Sequence, residues 1–171
     1  ISARDLLNEV DKDSIRFMML NRSNDVELDF DFEKVKEKTK DNPVFYVQYA
    51  FARINSITRT INKSLNDKIS VNPESFSPNE YEEKILRKIF EWPKIIESAS
   101  YKLEPHKIPF YLYELSTLFH SYWSKGNEDS KFKFIDNGKL KRMETLIFIY
   151  LIAIVIKNGM NILGVSLPEK M

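Results

Sequence analysis

One stretch of the chain, "NPVFYVQYAFARINSI" at residues 42–57, carries hydrogen-bonding and aromatic side chains among apolar ones. Asn42, Tyr46, Tyr49, Arg53 and Ser56 follow one another at spacings of four, three, four and three residues. On a helix these spacings place all five in one stripe. Tyrosine rings can stack on flat ligands, and the arginine fork can hydrogen-bond a base edge or a phosphate. The stripe therefore predicts a binding site that needs no acid or base.

The same stripe has a second interpretation. An apolar stripe runs along the same helix, and its centre lies about 100° away around the axis. The tyrosines would then fill the shoulder of the core, and Arg53 would cover them as a surface cation. The spacing alone does not decide between the two. The apolar stripe consists of Val47, Ala50, Ile54, Ile57, Ile61 and Leu65.

Residues suited to catalysis are scarce elsewhere. His106 and His120 lie fourteen residues apart, without a metal-ligand spacing, and are predicted to be ordinary structural residues. The acidic pair Glu82–Glu83 is interpreted as a solvated helix face. No serine or threonine lies in a nucleophile-elbow pattern, and only four glycines are available for a phosphate-binding loop. We therefore expect no catalytic residue and no metal site in this chain.

The elements that must position the stripe are predicted to be helical. Two short helices, "RDLLNEV" and "DKDSIRFMML", precede an alternating, extended segment "DVELDFDF". Asn42-Pro43 marks a boundary, and a helix should follow from Pro43 to about Leu65. Four more helices are predicted at "EYEEKILRKIFEW", "PKIIESASYKL", "PHKIPFYLYELSTLFHSYW" and "LKRMETLIFIYLIAIVIKNGMNIL". Long loops are predicted at 66–79 and 124–139. The last helix is predicted to break at Gly159 and to end with a C-cap at Gly164.

This pattern predicts an all-α fold: a bundle of about five helices in residues 42–171, preceded by a short mixed segment, 1–41. The apolar run "LIFIYLIAIVI" would extend for about 16 Å as a helix, against roughly 30 Å of bilayer hydrocarbon. It is interpreted as a buried core helix, so we expect no membrane association. The absence of cysteine favours an intracellular protein.

Charge is distributed unevenly along the chain. Residues 1–41 carry a net charge of −3 and residues 42–171 a net charge of +4. This surplus is too small to predict a nucleic-acid ligand by itself. The basic loop "KFKFIDNGKLKR" could contact phosphates or could simply be solvated, and Arg16 is predicted to tie helices together. The basic residues of that loop are Lys131, Lys133, Lys139, Lys141 and Arg142.

Four blocks of sequence carry a resemblance to a known family. They are "DSIRFMMLNRSNDVELDFDF", "DNPVFYVQYAFARINSI", "LEPHKIPFYLYELSTLFHSYW" and "NGMNILGVSLPEKM", and their order and spacing extend over nearly the whole chain. The chain resembles the C-terminal end of class I arginyl-tRNA synthetases. The resemblance implies that residues 1–41 are the tail of the catalytic region and that 42–171 form a DALR-type helical anticodon-binding domain.

The resemblance also implies which residues bind. Asn42, Tyr49, Arg53 and Met171 match the family's anticodon contacts, with the middle cytosine shared by arginine anticodons as the expected target. Tyr46 is added from the stripe geometry. Phe51 stands where the family usually has histidine, and we expect altered packing there more than lost recognition.

The implied function is recognition of the anticodon loop of arginine tRNA, as part of the ligase that attaches arginine to that tRNA. The family's two ATP-site signatures are absent from this sequence, so ATP and magnesium are expected to bind the missing catalytic domain and not this fragment, which should be inactive alone. A cytoplasmic monomer with no DNA partner is expected. The alternative is a helical protein–protein interaction module whose aromatic groove receives a partner helix.

Overall fold

A computed structural model describes residues 3–23, 25–26, 32–63 and 76–171. Within these ranges the chain is all-α, as predicted, and the β-structure is confined to a two-stranded hairpin. Its elements, in chain order, are α1 (Ala3–Glu9), α2 (Lys12–Leu20), α3 (Phe32–Lys36), α4 (Pro43–Thr60), α5 (Glu80–Tyr101), α6 (Lys107–Glu128), a 3-10 helix (Ser130–Phe132), β1 (Ile135–Asp136), β2 (Lys139–Leu140) and α7 (Met143–Leu163).

The stripe helix α4 is fixed at both of its ends. Asn42 caps its first turn and Pro43 occupies the first helical position, where a missing N–H costs nothing. Four residues of the apolar stripe, Val47, Ala50, Ile54 and Ile57, are buried as predicted, and Ile61 is half-buried. Leu65 lies outside the described residues. The helix ends at Thr60, before the predicted Leu65, and Asn62 just beyond it has a φ of 52°.

The core lies between α4, α5, α6 and α7. Most of α7 is apolar, and by length and composition alone this helix could cross a membrane. Its side chains pack instead against the other helices, and Leu146, Ile149, Ile152 and Ile156 are at most 1% exposed. The prediction of a buried core helix is therefore confirmed.

The two helices predicted on either side of Pro93 form one continuous helix, α5, so that prediction was wrong. Proline normally breaks a helix because it lacks an N–H and its ring crowds the preceding turn. Here the ring is exposed to solvent, and Ile85 and Ala99 bury the two halves of the helix in the same core. A capping box between Asn79 and Glu82 adds to the stability of the first turn.

The segment predicted as a polar loop at 124–139 is more ordered than expected. Helix α6 continues to Glu128, and the hairpin β1–β2 turns at Asn137 and Gly138, whose φ angles of 48° and 74° are typical of a type I′ turn. Helix α7 passes through Gly159 without the predicted break. A side chain there would lie 2.7 Å from Leu112, so the glycine allows α6 and α7 to approach closely.

Helix α2 joins the N-terminal segment to the bundle. Phe17 is fully buried in the main core, and the Arg16 side chain donates through Nε to the carbonyl of Leu163 at the end of α7. The predicted role of Arg16 is confirmed. Gly164 caps α7 in the left-handed conformation, also as predicted. The predicted extended segment at 25–32 and the loop at 66–79 lie largely outside the described residues.

Candidate nucleic-acid interface

A cavity of about 510 Å³ opens beside the stripe of α4. Elements that are distant in sequence form its walls: α4, α6, strand β1 and the last two residues of the chain. The side chains that define its chemistry are Tyr49, Arg53, Arg59, Trp123, Lys170 and Met171.

The Arg53 guanidinium lies between two aromatic rings in this wall. Its Cζ atom is 4.3 Å from the centroid of the Tyr49 ring and 5.0 Å from that of Trp123, both within the range of cation–π attraction. Nη2 also donates to the Tyr49 hydroxyl at 2.5 Å. These contacts hold a planar cation at the cavity with part of its donor fork unused.

His120 of α6 lies behind Arg53 and is buried, with 6% of its surface exposed. Its Nδ1 is 3.1 Å from Arg53 Nη1, and its Nε2 is 3.2 Å from the carbonyl oxygen of Tyr46. The pKa of His120 is lowered to about 4, mainly by burial; the hydrogen bond to the Tyr46 carbonyl opposes this shift, and the Arg53 charge adds to it. The imidazole is therefore neutral at pH 7.

The cavity is electropositive. Three of its lining residues, Arg53, Arg59 and Lys170, are cationic, and none of the lining residues is acidic. Arg59 also donates from Nη1 to the Glu169 carbonyl at 3.1 Å, which holds the C-terminal residues along α4. Flat rings, an arginine fork and a surplus of cationic side chains together suit a ligand that carries both aromatic rings and phosphates.

Three of the predicted site residues meet in this cavity: Tyr49, Arg53 and Met171. Tyr46 lies outside its lining, and its ring packs 4.3 Å from that of His120 and 5.4 Å from that of Tyr113. Burial raises the pKa of Tyr46 above its ordinary value. The geometry gives Tyr46 a supporting place behind the cavity wall.

The structure does not support the base-reading role predicted for Asn42. Its side chain is 4% exposed, and its Nδ2 donates to the carbonyls of Val35 at 2.7 Å and Glu37 at 2.9 Å. Its Oδ1 accepts a hydrogen bond from the backbone N–H of Phe45. The amide is used within the fold, where it caps α4 and ties it to the segment before it.

The basic loop divides into two groups. Lys131, Lys133, Lys139 and Lys141 are exposed, although Lys141 Nζ also donates to the Ser130 carbonyl at 2.7 Å. Arg142 is different, because its Nη1 lies 3.2 Å from a carboxylate oxygen of Glu82 and its Nη2 donates to the Ser77 carbonyl at 2.9 Å. The lysines remain candidates for phosphate contact, whereas this geometry makes Arg142 a structural residue.

Glu82 corrects a second expectation. It was predicted to be part of a solvated face, yet it is fully buried, and its carboxylate also accepts from the Tyr122 hydroxyl at 2.8 Å and from the Asn79 backbone N–H at 2.9 Å. Its neighbour Glu83 is exposed as expected. Phe51, at the position where histidine was expected, is buried in the core and does not line the cavity.

Several residues of the site were not found from the sequence. Arg59 lies three residues beyond Ser56, so extending the stripe by one step would have included it. His120 was assigned an ordinary structural role, and Trp123 and Lys170 were not singled out. The proximity of these three residues to Arg53 depends on how α6 and the C-terminal residues pack on α4, and no sequence spacing reports that packing.

The fold and the cavity together define a helical domain with a cavity lined by aromatic and cationic side chains. Residues 47–171 match the family described as the DALR anticodon binding domain. The chain belongs to this family.

Sequence similarity to individual relatives extends beyond residues 47–171 to the whole chain. An arginine–tRNA ligase of Pelagibacter ubique is 54% identical over 171 residues, and one from Rhizobium leguminosarum is 41% identical over 178 aligned residues. Each alignment covers all of this chain, which spans about 30% of the length of these curated relatives.

Solved structures give the same result for the fold. A Campylobacter jejuni protein described as an arginyl-tRNA synthetase superposes with a TM-score of 0.84 at 26% identity, over 98% of this chain and 35% of that one. The Thermus thermophilus arginyl-tRNA synthetase superposes with a TM-score of 0.71 at 22% identity, over 93% of this chain and 26% of that one, which shows the shared fold.

Proposed function

We propose that this chain is the C-terminal part of an arginyl-tRNA synthetase and that its cavity binds the anticodon loop of arginine tRNA. One observation carries the proposal: Tyr49 and Arg53 of α4 line the same cavity as Met171, which is distant in sequence, and the cavity has three cationic side chains and no acidic side chain. The family match and the ligases that align with the entire chain support it.

The cavity suits unpaired bases better than a paired helix. Bases in an RNA loop can unstack, lie against aromatic rings and expose their hydrogen-bonding edges. In the proposed complex, Tyr49 and Trp123 provide ring surfaces, Arg53 donates to a base edge or phosphate, and Met171 presents an apolar surface. The middle anticodon base, cytosine in arginine tRNAs, is the proposed target.

The exposed lysines beside the cavity extend this site to the RNA backbone. Ile135 lines the cavity, so the hairpin that bears Lys139 adjoins it, and Lys133 lies two residues before that hairpin. Contacts from lysine to phosphate add affinity that is independent of base sequence and sensitive to salt. We assign to these lysines the positioning of the loop, and to Arg53 its recognition.

In the complete enzyme this binding would serve to position the tRNA. Holding the anticodon loop places the acceptor end of the tRNA at a distant catalytic centre, so binding energy is converted into correct geometry there. We propose that residues 1–41 belong to the catalytic region and 42–171 to the anticodon-binding domain. ATP and magnesium would bind elsewhere in the complete enzyme, which would act as a cytoplasmic monomer, and the fragment alone would be inactive.

Two measurements test the proposal. In the 171-residue chain, Tyr49→Ala should weaken binding of an arginine anticodon stem–loop RNA by roughly 1–3 kcal/mol, a typical loss of stacking. In the full-length enzyme the same change should impair aminoacylation while arginine-dependent ATP chemistry is less affected. Wild-type aminoacylation by Tyr49→Ala and Arg53→Ala enzymes would contradict the assignment.

A salt titration separates this function from the alternative of a groove for a partner helix. RNA affinity should fall steeply as salt rises, because bound phosphates release their counterions from the RNA. An apolar groove would show little such dependence. The three cations of the cavity favour the first outcome.

A further inference from the structure

The contacts of His120 determine its tautomer. Its Nε2 faces the Tyr46 carbonyl oxygen, which can only accept, so Nε2 must carry the proton. In a neutral imidazole the other nitrogen, Nδ1, is then an acceptor. Nδ1 faces Arg53 Nη1 at 3.1 Å, and an arginine can only donate. The two contacts are therefore consistent with one species, the neutral Nε2–H tautomer.

This arrangement orients the guanidinium. The five N–H donors of arginine have a fixed planar geometry, and here Nη1 is bound by His120 and Nη2 by the Tyr49 hydroxyl. The His120 ring also stacks on that of Tyr49, with the centroids 5.4 Å apart and 22° between the planes. Two hydrogen bonds from different helices thus fix both the plane of the fork and its rotation.

We propose that His120 is a positioning residue for anticodon recognition, a neutral acceptor that holds the Arg53 fork toward the cavity without cancelling its charge. This inference rests on the proposed function. A carboxylate in the same place would orient the fork equally well but would neutralise the cation that phosphates and base edges require. A buried neutral imidazole provides the orientation and preserves the charge.

The surroundings keep the imidazole neutral. The titratable groups that contact His120 come from α4 and are Arg53, Tyr46 and Tyr49. On its own helix, the Phe119 ring packs at 5.6 Å between centroids. The hydrogen bond to the Tyr46 carbonyl favours the imidazolium, but burial and the Arg53 charge outweigh it. A second proton would also place an N–H donor against a guanidinium donor.

The first test needs no RNA. The ¹⁵N shifts of His120 in the free 171-residue chain at pH 7 distinguish the two neutral tautomers from the imidazolium. We expect a protonated Nε2 and a bare Nδ1, and in Arg53→Ala the Nδ1 shift should move because its donor is lost. An Nδ1–H tautomer, a charged ring, or an unchanged shift in Arg53→Ala would overturn the inference and leave the proposed function standing.

The second test is a double-mutant cycle on binding of an arginine anticodon stem–loop RNA. His120→Phe should weaken binding about 10-fold, and the double variant with Arg53→Ala should bind as weakly as Arg53→Ala alone, because His120 acts only through Arg53. His120→Asn, which can place an amide oxygen near the former Nδ1, should recover part of the loss.

Additive losses in the cycle, or a His120→Phe variant that is folded and binds normally, would overturn the positioning role. If His120→Phe does not fold, the His120→Asn variant decides: affinity at or below that of Arg53→Ala would count against the inference. Failure of the wild-type chain to bind the RNA would overturn both the proposed function and this inference, and the ¹⁵N result then reports on the local geometry alone.

Discussion

Two arginines of this chain meet polar partners in opposite ways. Arg142 lies 3.2 Å from the carboxylate of Glu82, which is fully buried. Arg53 lies 3.1 Å from a neutral histidine and between two rings, beside a cavity without acidic lining residues. Both were candidate RNA contacts from the sequence, and the structure distinguishes them.

The difference shows how an arginine is assigned to the fold or to a ligand. When a carboxylate neutralises the guanidinium, the positive charge is no longer available to a ligand. The ion pair instead stabilises a contact within the fold, here between α5 and the start of α7. When the partner is neutral, the positive charge remains available to an anion. The charge of the partner therefore indicates whether an arginine serves the fold or can bind a ligand.

The largest expected effect concerns the structural pair. Glu82→Ala leaves Arg142, Tyr122 and the Asn79 N–H without their common acceptor, and should lower the free energy of unfolding by about 3 kcal/mol. Glu83→Ala, the exposed neighbour, is the matched control and should change it by less than about 0.5 kcal/mol. Urea denaturation followed by circular dichroism measures both, and equal effects of the two variants would break the distinction.

The neutral partner of Arg53 predicts a dependence of stability on pH. The pKa of His120 is lowered to about 4 in the folded chain from an ordinary value of 6.5. Between these values the unfolded state binds more protons, so stability is fully present above pH 6.5 and is lost as the pH falls toward 4. The loss should reach about 3 kcal/mol at most.

Comparison with the His120→Asn variant isolates this contribution from the carboxylates, which also titrate in acid. Denaturation curves at several pH values should show a shallower decline in the variant between pH 6.5 and 4. Parallel curves for the two proteins would mean that His120 is not held neutral by the fold.

The two arginines should also separate in RNA binding. Arg53→Ala should weaken binding of the arginine anticodon stem–loop by roughly 2 kcal/mol, within the range for contacts to charged groups, while stability changes by less than about 1 kcal/mol. Arg142→Ala should lower the free energy of unfolding and leave RNA binding nearly unchanged. Fluorescence anisotropy and urea denaturation measure the two quantities, and loss of RNA affinity in folded Arg142→Ala would contradict its assignment to the fold.

The smallest expected effect concerns Lys133 and Lys139. Lys133→Gln and Lys139→Gln should each reduce the slope of log K against log salt by about 0.7, the value for one phosphate contact on a single strand. Lys94→Gln, on α5 and away from the cavity, should leave the slope unchanged. Unchanged slopes for the Lys133 and Lys139 variants would mean that these lysines are only solvated.

Much of the fold follows from local patterns, and most errors arise where packing overrides them. The period of the apolar side chains in α4 predicted its buried stripe, and the spacing of Tyr49 and Arg53 predicted that these two residues share an adjacent face. The break at Pro93 was wrong because burial of residues on both sides outweighs one lost backbone hydrogen bond. The break at Gly159 was wrong because that glycine permits close contact with Leu112.

The site was less predictable because it is assembled across elements. Asn42 and Arg142 are residue types that can contact RNA, but both side chains bond within the fold. Asn42 donates to the Val35 carbonyl, and Arg142 donates to the Glu82 carboxylate. His120 and Trp123 belong to the site because α6 packs against α4. Spacing within one helix reports which residues share a face, whereas it does not report which other helix contacts that face.

The central claim is that the cavity beside Arg53 reads an anticodon loop. The most direct measurement is the dissociation constant of the 171-residue chain for an arginine anticodon stem–loop, compared with the same RNA carrying a changed middle base. We expect tighter binding to the cytosine-bearing loop by about 10-fold or more, because one good contact to a base edge contributes about 1.4 kcal/mol. We also expect this preference to be lost in Arg53→Ala. Equal affinity of the wild-type chain for the two RNAs would contradict it.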